Sequence, residues 1–476
     1  MNKFRYLFKN MGFLFIGSFS SKILVFLLVP LYTAVLSTAE YGSYDLLYTT
    51  VQLLAPLLTL NIVDGILRFT VDADLTGQKG VFTIGVKYTV ISTVVVLSGA
   101  ILCSLVFHID IVSRFFWEFV LLYIAYLINQ FAILFARGLD DTLGTAIGGI
   151  LGTVCMVAFN LLFLLVFRWG LRGYFYAMIL SLVVPTVYLA IRDKMFGYWD
   201  WKQLGEKGKE LEKKLIAFCF PLVFNTMSWT INNLADRYVV TWMCGLSENG
   251  IYSVSYKIPA ILNSIQSIFI SAWQLSAIKE LNSKEGPEFF SKTYQGCHSI
   301  MVLLCSGLIL GTRIMAGLLF AKEFYAAWVY VPILLLYVVF NTLSGTIGGV
   351  FTAAMDSKAF ANSAMVGATT NIVLNFVFVY FWGTMGAAIA TVISSIVIWA
   401  MRFYYSKRHI TWILNMKKFY LDFALLGLQA VLMTVITHPA GYILQSLLFA
   451  AMLVNNFSTF KEPLQQLTDR FLKKAK

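Results

Sequence analysis

The sequence predicts an all-α polytopic membrane protein of about 14 transmembrane helices, with two parallel six-helix lobes followed by two C-terminal helices. Hydrophobic residues make up 59% of the 476 residues and charged residues 13%, whereas a soluble domain has about 25% charged residues. The apolar residues form fourteen stretches, each roughly 16 to 28 residues long, which is a suitable length for spanning helices. Two sequence patterns also recur six stretches apart. This composition excludes a soluble enzyme and an ordinary secreted domain.

Fourteen spans can be placed on the sequence, and the last two have the weakest apolar signal. The stretches are uniformly apolar and lack the alternation of barrel strands, so we expect helices. The predicted spans are 13–36, 44–67, 81–107, 116–135, 145–167, 173–191, 215–243, 251–278, 294–310, 328–351, 360–381, 386–401, 419–436 and 442–457.

The net charge of +12 is explained by membrane topology. With a cytoplasmic N-terminus, 27 of the 36 Lys and Arg residues fall in inside segments and five in outside loops. Cytoplasmic loops of membrane proteins carry this excess of cations. The count predicts that both termini are cytoplasmic, which requires an even number of spans, and it removes the need for a nucleic-acid partner.

An internal repeat predicts the domain organisation. The pattern E-x-G-x-Y-x-x-x-Y begins at Glu40 and again at Glu248, 208 residues later. The pattern W-G-x-x-G-x-x-x-A-x-x-x-S begins at Trp169 and again at Trp382, 213 residues later. Six helices lie between the copies, so the halves are predicted to be parallel repeats. The predicted segments are a six-helix lobe at 1–191, a cytoplasmic linker at 192–214, a second lobe at 215–405, and helices 13 and 14 with a basic tail at 406–476.

Four cations fall inside predicted spans. An ionisable side chain facing lipid at the bilayer centre costs about 2.5 to 3.5 kcal/mol, so such residues are expected to face protein or water. Lys22, Arg237 and Lys257 are predicted to line one central cavity, with Asp45 and Asp236 as counter-ions. Lys87 lies near the inner end of span 3, where snorkelling to the headgroups explains it equally well.

Polar side chains accompany these cations at helical spacing. In span 7 they are Asn225, Trp229, Asn232, Asn233 and Asp236, and in span 2 they are Tyr41, Asp45, Tyr48 and Gln52. One such stripe could serve only to hold helices together. Two such stripes at corresponding places in the two halves of the chain predict a hydrophilic cavity. Tyr256, from the second copy of the repeated pattern, is also predicted to line it. Arg68, just past span 2, is assigned to the cavity mouth, although it could simply mark topology.

The sequence suggests no resident cofactor and no metal site. The six cysteines lie in or beside spans without a C-x-x-C pair, so we interpret them as packing residues. No histidine is expected deep in a span. A proton relay would therefore have to use Asp45 or Asp236, and both are equally explained as counter-ions.

Several segments together resemble the Wzx-type flippases of bacterial polysaccharide biosynthesis, in the exporter superfamily that includes multidrug and lipid II exporters. The resemblance covers essentially the whole chain. It is carried by S-S-K-I-L-V-F-L-L-V-P-L-Y-T at 20–33, A-E-Y-G-S-Y at 39–44, D-G-I-L-R-F at 64–69, L-A-D-R-Y at 234–238, G-I-Y-S-V-S-Y-K-I-P at 250–259 and the A-W pair at 272–273.

The resemblance implies a flippase that is not an enzyme and that moves an undecaprenyl-diphosphate-linked oligosaccharide to the outer leaflet by alternating access. Cations in a partly hydrated cavity would then pair with the diphosphate, while amides and aromatic rings would contact sugars. The implied setting is the bacterial cytoplasmic membrane. The implied partners are membrane lipid, the lipid-linked glycan, a polysaccharide polymerase and a chain-length regulator, with the protein itself a monomer.

Three other functions remain open at this point. A cation-coupled multidrug-type exporter has similar lobes, but it usually lacks the extra helix pair and has an acidic interior. A major-facilitator sugar carrier would have a Gly- and Arg-rich loop after span 2, where this chain has T-V-D-A-D-L-T-G-Q-K-G. A membrane glycosyltransferase or polymerase would need clustered acids or a large outside loop, and the sequence has neither.

Overall fold

The computed structural model describes residues 24–71, 73–281, 283–436 and 438–474, and this part of the chain is almost entirely helical. The helices, numbered in chain order, are α1 (Val29–Val35), α2 (Thr38–Leu58), α3 (Ile62–Val71), α4 (Leu75–Leu105), α5 (Asp110–Arg114), α6 (Phe116–Gly138), α7 (Thr142–Asn160), α8 (Gly170–Arg192), α9 (Glu206–Cys244), α10 (Leu246–Ser255), α11 (Pro259–Glu280), α12 (Gly286–Leu319), α13 (Val331–Ala354), α14 (Ser357–Trp382), α15 (Thr384–Ser406), α16 (Met416–Val435) and α17 (Gly441–Lys474).

The structure confirms an all-α polytopic membrane protein. Within the described ranges, ten helices are long and apolar enough to cross a membrane, or eleven if α2 and α3 together form one bent span. The figure of fourteen spans stays a prediction. Residues 13–23 of predicted span 1 lie outside the described residues, and the apolar part of α17, Gly441–Phe457, is shorter than the other spans.

Two predicted spans are broken by local backbone geometry. Between α2 and α3, the helix axis bends by 56°, and Leu60 and Asn61 adopt left-handed backbone conformations. Predicted span 8 is interrupted by a turn at 256–258, immediately before Pro259 at the start of α11. The ring of a proline disfavours the helical conformation in the residue before it. The expectation of one continuous helix over 251–278 is therefore wrong.

The polar segment between the predicted lobes continues directly into a spanning helix. Two short 3₁₀ turns, Met195–Tyr198 and Trp201–Leu204, are followed by α9, which begins at Glu206 and continues to Cys244. The segment predicted as a linker at 192–214 is therefore helical from Glu206 onwards. The structure adds that this helix and predicted span 7 are one element.

Packing divides the described chain into two units. The N-terminal unit contains residues 24–241 and 245–250, and the C-terminal unit contains 242–244 and 251–474. A core of the N-terminal unit includes Ile66, Phe82, Phe131, Phe135 and Leu189. A core of the C-terminal unit includes Trp273, Ala277, Phe290, Val350 and Ile410. The lobes predicted at 1–191 and 215–405 stay a prediction.

Candidate functional site

An ion pair joins α2 and α9 within the N-terminal unit. Nε of Arg237 lies 2.8 Å from Oδ2 of Asp45, and each side chain is 13% exposed. An isolated charge in such surroundings would lose most of its hydration, so a close opposite charge strongly stabilises it. Of the two acids predicted as counter-ions, Asp45 thus pairs directly with the Arg237 guanidinium.

Asp236 lies beside this pair but contacts it differently. Its side chain is 2% exposed, and its Oδ1 accepts a hydrogen bond from the backbone N–H of Arg237 at 3.0 Å. The next residue, Tyr238, donates its hydroxyl hydrogen to Oγ1 of Thr50 on α2 at 2.9 Å. Polar contacts at two successive residues of α9 therefore attach this helix to α2.

Tyrosine rings cover the adjacent part of α2. The rings of Tyr32 and Tyr41 are stacked with their centroids 5.0 Å apart, and the rings of Tyr44 and Tyr48 are stacked at 5.7 Å. Tyr174 of α8 meets Tyr44 edge to face at 4.6 Å. The polar stripe predicted for span 2 thus consists largely of packed aromatic rings around one ion pair.

Two other predicted residues of the N-terminal unit occupy different surroundings. Gln52 lies one helical turn after Tyr48 on α2, and its side chain is half-buried. Arg68 is exposed in the last turn of α3, four residues after Asp64. Gln52 therefore belongs to the surroundings of the tyrosine rings, whereas Arg68 lies at a helix end, and its place at a cavity mouth stays a prediction.

The remaining predicted site residues divide into two groups. Lys22 lies outside the described residues; Asn225, Asn232 and Asn233 belong to α9, but their side chains are outside the description. Tyr256 and Lys257 belong to the turn between α10 and α11 in the C-terminal unit. The hydroxyl groups of Tyr252 and Tyr256 lie 3.0 Å apart. A single cavity shared by Lys22, Arg237 and Lys257 stays a prediction.

Lys87 is paired within the protein. Its Nζ lies 2.8 Å from Oε1 of Glu212, in the first half of α9, and the Tyr88 hydroxyl donates to the same oxygen at 2.8 Å. Burial opposes the ionised form of Glu212, but the hydrogen bonds from Lys87 and Tyr88 outweigh it and lower the pKa of this carboxyl. The cation therefore attaches α4 to the polar start of α9.

The two copies of the E-x-G-x-Y pattern cross each other at their glycines. A Cβ atom on Gly42 of α2 would overlap the carbonyl oxygen of Leu246, and one on Gly250 of α10 would overlap that of Thr38. The Thr38 and Ser247 hydroxyl oxygens lie 2.7 Å apart, and the Asn249 amide donates to the carbonyl of Gly42 at 3.1 Å. Glycine permits this close backbone contact, which is a common device at membrane helix crossings.

A second repeated feature joins helix ends. Asp141, before α7, pairs with Arg192 at the end of α8, with 2.5 Å between Oδ2 and Nε. Asp356, before α14, pairs with His409 just after α15, with 2.9 Å between Oδ2 and Nε2. The hydrogen bond from Arg192 lowers the pKa of Asp141 to about 2, and the hydrogen bond from His409 lowers that of Asp356. The two positions are 215 and 217 residues apart, close to the repeat spacing.

Sequence reasoning missed a buried polar seam in the C-terminal unit. His298 lies twelve residues after the start of α12 and is completely buried, so the expectation of no histidine deep in a span is wrong. Nearby are the buried Asp422 of α16 and Asn456 of α17. The sequence did contain a signal for this seam, because Asp422 lies inside predicted span 13 and Asn456 inside predicted span 14.

Arg402 is a second unexpected buried cation. It directly follows predicted span 12, at 386–401, but the structure includes it in α15, where it is 1% exposed. Its Nε donates to the Ser363 hydroxyl at 3.0 Å, its Nη1 donates to the carbonyl of Ser344 at 3.1 Å, and its guanidinium lies 4.1 Å from the centre of the Phe360 ring. These contacts tie α15 to α13 and α14.

The described residues contain no cluster of three or more His, Cys, Asp or Glu side chains able to hold a metal ion. The geometry instead offers a partly exposed ion pair beside tyrosine rings, between apolar helices. Such an arrangement can exchange one anionic partner of a guanidinium for another.

Comparison with known proteins identifies the family. Residues 7–278, more than half of the chain, match the family model described as polysaccharide biosynthesis protein. The chain belongs to this family. No curated protein matches the chain.

Several solved transporter structures have a fold similar to that of this chain. The lipid II flippase MurJ, in an inward closed conformation, matches with a TM-score of 0.71 and 12% identity, over 95% of this chain and 99% of that chain. An inward-facing multidrug resistance MATE family transporter of the MOP superfamily matches with a TM-score of 0.68 and 15% identity, over 81% and 94%. A MOP superfamily transporter from Pyrococcus furiosus matches with a TM-score of 0.59 and 15% identity, over 84% of this chain and 95% of that chain. This polysaccharide biosynthesis protein therefore shares the fold of these transporters.

Proposed function

We propose that this protein is a flippase that moves an undecaprenyl-diphosphate-linked oligosaccharide repeat unit across the bacterial cytoplasmic membrane, with both termini in the cytoplasm. The observation that carries the proposal is the ion pair between Asp45 and Arg237, held between apolar helices with 13% of each side chain exposed. Membership of a polysaccharide biosynthesis family supports a glycan substrate. In this proposal the glycan is carried on a lipid and is assembled further after it has crossed the membrane.

The ion pair suits a diphosphate in charge and geometry. A guanidinium binds phosphate oxygens through two parallel hydrogen bonds, and a diphosphate carries more negative charge than one carboxylate. In this proposal the diphosphate displaces Asp45 from Arg237 when it enters and Asp45 returns when it leaves. The guanidinium therefore keeps an anionic partner at every stage, which avoids leaving a charge unpaired in a poorly hydrated site.

The other predicted site residues receive roles within the same proposal. Lys22 and Lys257 add positive charge for the diphosphate, and Arg68 attracts it at the entrance. Asn225, Asn232, Asn233 and Gln52 bind sugar hydroxyl groups, while Tyr48 and Tyr256 contact sugar ring faces. Asp236 supports Arg237 through the backbone. The prenyl chain remains in lipid during the passage.

Alternating access is the proposed transport cycle. The crossing of α2 and α10 at Gly42 and Gly250 is a close contact that would have to separate for a bulky glycan to pass. Hydroxyl and amide contacts at this crossing, unlike a large apolar interface, can be replaced by water when helices part. We further propose that the protein works as a monomer with a polymerase and a chain-length regulator as partners and that it catalyses no covalent step.

A multidrug-type exporter is the second candidate, favoured by the fold shared with multidrug transporters. The substrate separates the two proposals, because a diphosphate lipid needs Arg237 whereas a cationic drug would be repelled by it. Surface glycan can be measured in cells that lack the chromosomal gene. Arg237→Ala should reduce surface glycan at least about tenfold, Arg237→Lys should keep more, and the exposed control Arg114→Ala should have no effect.

Expression of each variant must be measured by immunoblot so that loss of protein is separated from loss of transport. Full glycan display by a well-expressed Arg237→Ala variant would contradict the flippase proposal. Drug resistance that depends on the protein, without any glycan effect, would favour the exporter. Glycosyl transfer by the purified protein would identify an enzyme instead.

A further inference from the structure

Three helices of the C-terminal unit share a buried polar seam: α12, α16 and α17. On one level, the Ser306 hydroxyl donates to Oε1 of Gln429 at 2.6 Å, and Gln445 donates to the backbone carbonyl of Gln429 at 3.2 Å. Amide and hydroxyl groups commonly hold packed membrane helices together. This level of the seam therefore needs no explanation beyond docking α16 and α17 onto α12.

The next level contains ionisable groups. The Asp422 carboxylate is completely buried and accepts hydrogen bonds from the amide of Asn455 at 2.7 Å and from that of Asn456 at 3.0 and 3.1 Å. Ser299 donates to the amide oxygen of Asn456 at 2.6 Å. A neutral amide at position 422 would join helices equally well, so docking alone does not explain an acid there.

His298 lies next to this acid. Its Nδ1 is 3.7 Å from Oδ2 of Asp422, which is just beyond hydrogen-bond distance. Its ring packs against Phe419, with 4.1 Å between centroids, and against Phe423 at 5.3 Å. Within the described part of the chain, neither ring nitrogen has a hydrogen-bond partner. A buried imidazole with unsatisfied nitrogens beside a carboxylate is unusual and calls for a functional explanation.

The described charged and titratable side chains on the neighbouring helices have contacts of their own. Lys418, one turn before Asp422, donates to Oγ1 of Thr459 at 2.8 Å. Tyr294, one turn before His298, accepts a hydrogen bond from Trp399 of α15 at 2.7 Å. Arg402 of α15 is held by Ser363 and the carbonyl of Ser344. The acid and the nearby lysine already balance in charge, so any proton added to His298 introduces a net positive charge.

We propose that His298 and Asp422 form a proton-binding site that couples a proton gradient to transport. A hydronium ion supplies the proton, Nδ1 of His298 accepts it, and the new N–H bonds to Asp422 across the present 3.7 Å gap. Release to water on the opposite side returns the imidazole to its neutral form. The protonated site carries a net charge that close packing disfavours, so protonation favours a conformation in which water reaches α12 and α16.

The coupling role rests on the proposed flippase function, whereas proton binding itself does not. In vesicles containing the purified protein, one coupled proton per cycle allows a gradient of one pH unit to accelerate transport up to about tenfold. The acceleration should disappear in His298→Gln and in Asp422→Asn, with transport in the absence of a gradient retained. Gln429→Leu, in the same seam but without a titratable group, is the matched control and should keep the acceleration.

A second readout separates this site from the flippase proposal. NMR spectra of the full-length protein labelled with ¹⁵N-histidine are compared with those of His298→Phe, a variant that keeps an aromatic ring at this position. The resonances that are missing from the variant belong to His298. These resonances should report the uptake of a proton as the pH is lowered, and Asp422→Asn should shift that transition to lower pH. Absence of any transition, or full gradient acceleration in folded His298→Gln, would overturn the proton site. A protein that titrates but moves no lipid would instead disprove the flippase function.

Discussion

Nε of Arg237 lies 2.8 Å from Oδ2 of Asp45, and the two residues are 192 positions apart in the sequence. They connect α2 and α9, and both remain partly exposed. Full burial would make separation of the charges very unfavourable, whereas full exposure would make the pair weak. Their intermediate burial suits an ion pair that is stable without substrate and in which a more strongly charged anion can displace Asp45 from Arg237.

Removing either partner should destabilise the protein, and removing both should restore part of the loss. Arg237→Ala or Asp45→Ala leaves one charge poorly hydrated, so each should lower the unfolding free energy by about 2 kcal/mol, below the value for a fully buried pair. The double variant should be more stable than the sum of the single effects implies, by about 1 kcal/mol. Unfolding in detergent measures this cycle, and strictly additive effects would contradict a direct pair.

The sequence could predict this site in part. The cost of a charge among lipids identified Arg237, and helical spacing placed Asp45 and Asp236 as candidate partners. Choosing between the two acids required the rotation of α9 against α2, which depends on contacts far apart in the chain. The spacing also could not distinguish tyrosines that pack on one another, such as Tyr44 and Tyr48, from tyrosines that line open water.

The glycine crossing should open during transport. In a cysteine-free background, the pair Thr38→Cys and Ser247→Cys should form a disulfide, since the hydroxyl oxygens at these positions are 2.7 Å apart. Cross-linking should reduce lipid transport at least about tenfold, and a reductant should restore it, because the proposed cycle requires α2 and α10 to separate. The single variant Thr38→Cys controls for the substitution. Undiminished transport by the cross-linked protein would show that this contact stays closed.

The paired helix ends should stabilise the fold less at low pH. The lowered pKa values of Asp141 and Asp356 mean that each pair stabilises the fold above the ordinary carboxyl range and loses this effect as pH falls through the lowered values. Asp141→Asn and Asp356→Asn should therefore lower the unfolding temperature more at pH 7 than at pH 3.

Arg192→Gln is the matched variant of the partner, because it removes the cation that lowers the pKa of Asp141. It too should lower the unfolding temperature more at pH 7 than at pH 3. Because both pairs are partly exposed, the expected differences are small, within about 1 kcal/mol. Equal effects of these substitutions at the two pH values would show that the ionised carboxylates do not stabilise the fold.

Thiol labelling in whole cells should confirm the predicted topology. Single cysteines at Ser37 and Ser247, both exposed, should react with an impermeant reagent from outside, because they precede spans that enter from that side. A cysteine at Lys209, in the linker, should react only after the membrane is permeabilised. Labelling at Lys209 in intact cells would reverse the assignment of both termini.

The helices themselves were the most predictable feature, because a spanning helix needs about 20 predominantly apolar residues in a row. The breaks were less predictable: Asn61 has no strong breaking signal, and Pro259 could have been tolerated within a helix by its neighbours. The seam around His298 was missed because Asp422 and Asn456 lie 124 and 158 residues further along the chain. Only the packed structure brings these groups together.

Reconstituted vesicles test the central claim most directly. Purified protein is incorporated into vesicles with an undecaprenyl-diphosphate-linked oligosaccharide, and the fraction that becomes accessible to an external glycan-cleaving enzyme is followed over time. The wild type should move this lipid much faster than protein-free vesicles do, while Arg237→Ala should lose at least about tenfold of the rate. The same oligosaccharide on a monophosphate lipid should move more slowly. No acceleration over protein-free vesicles, or equal rates for wild type and Arg237→Ala, would contradict the account.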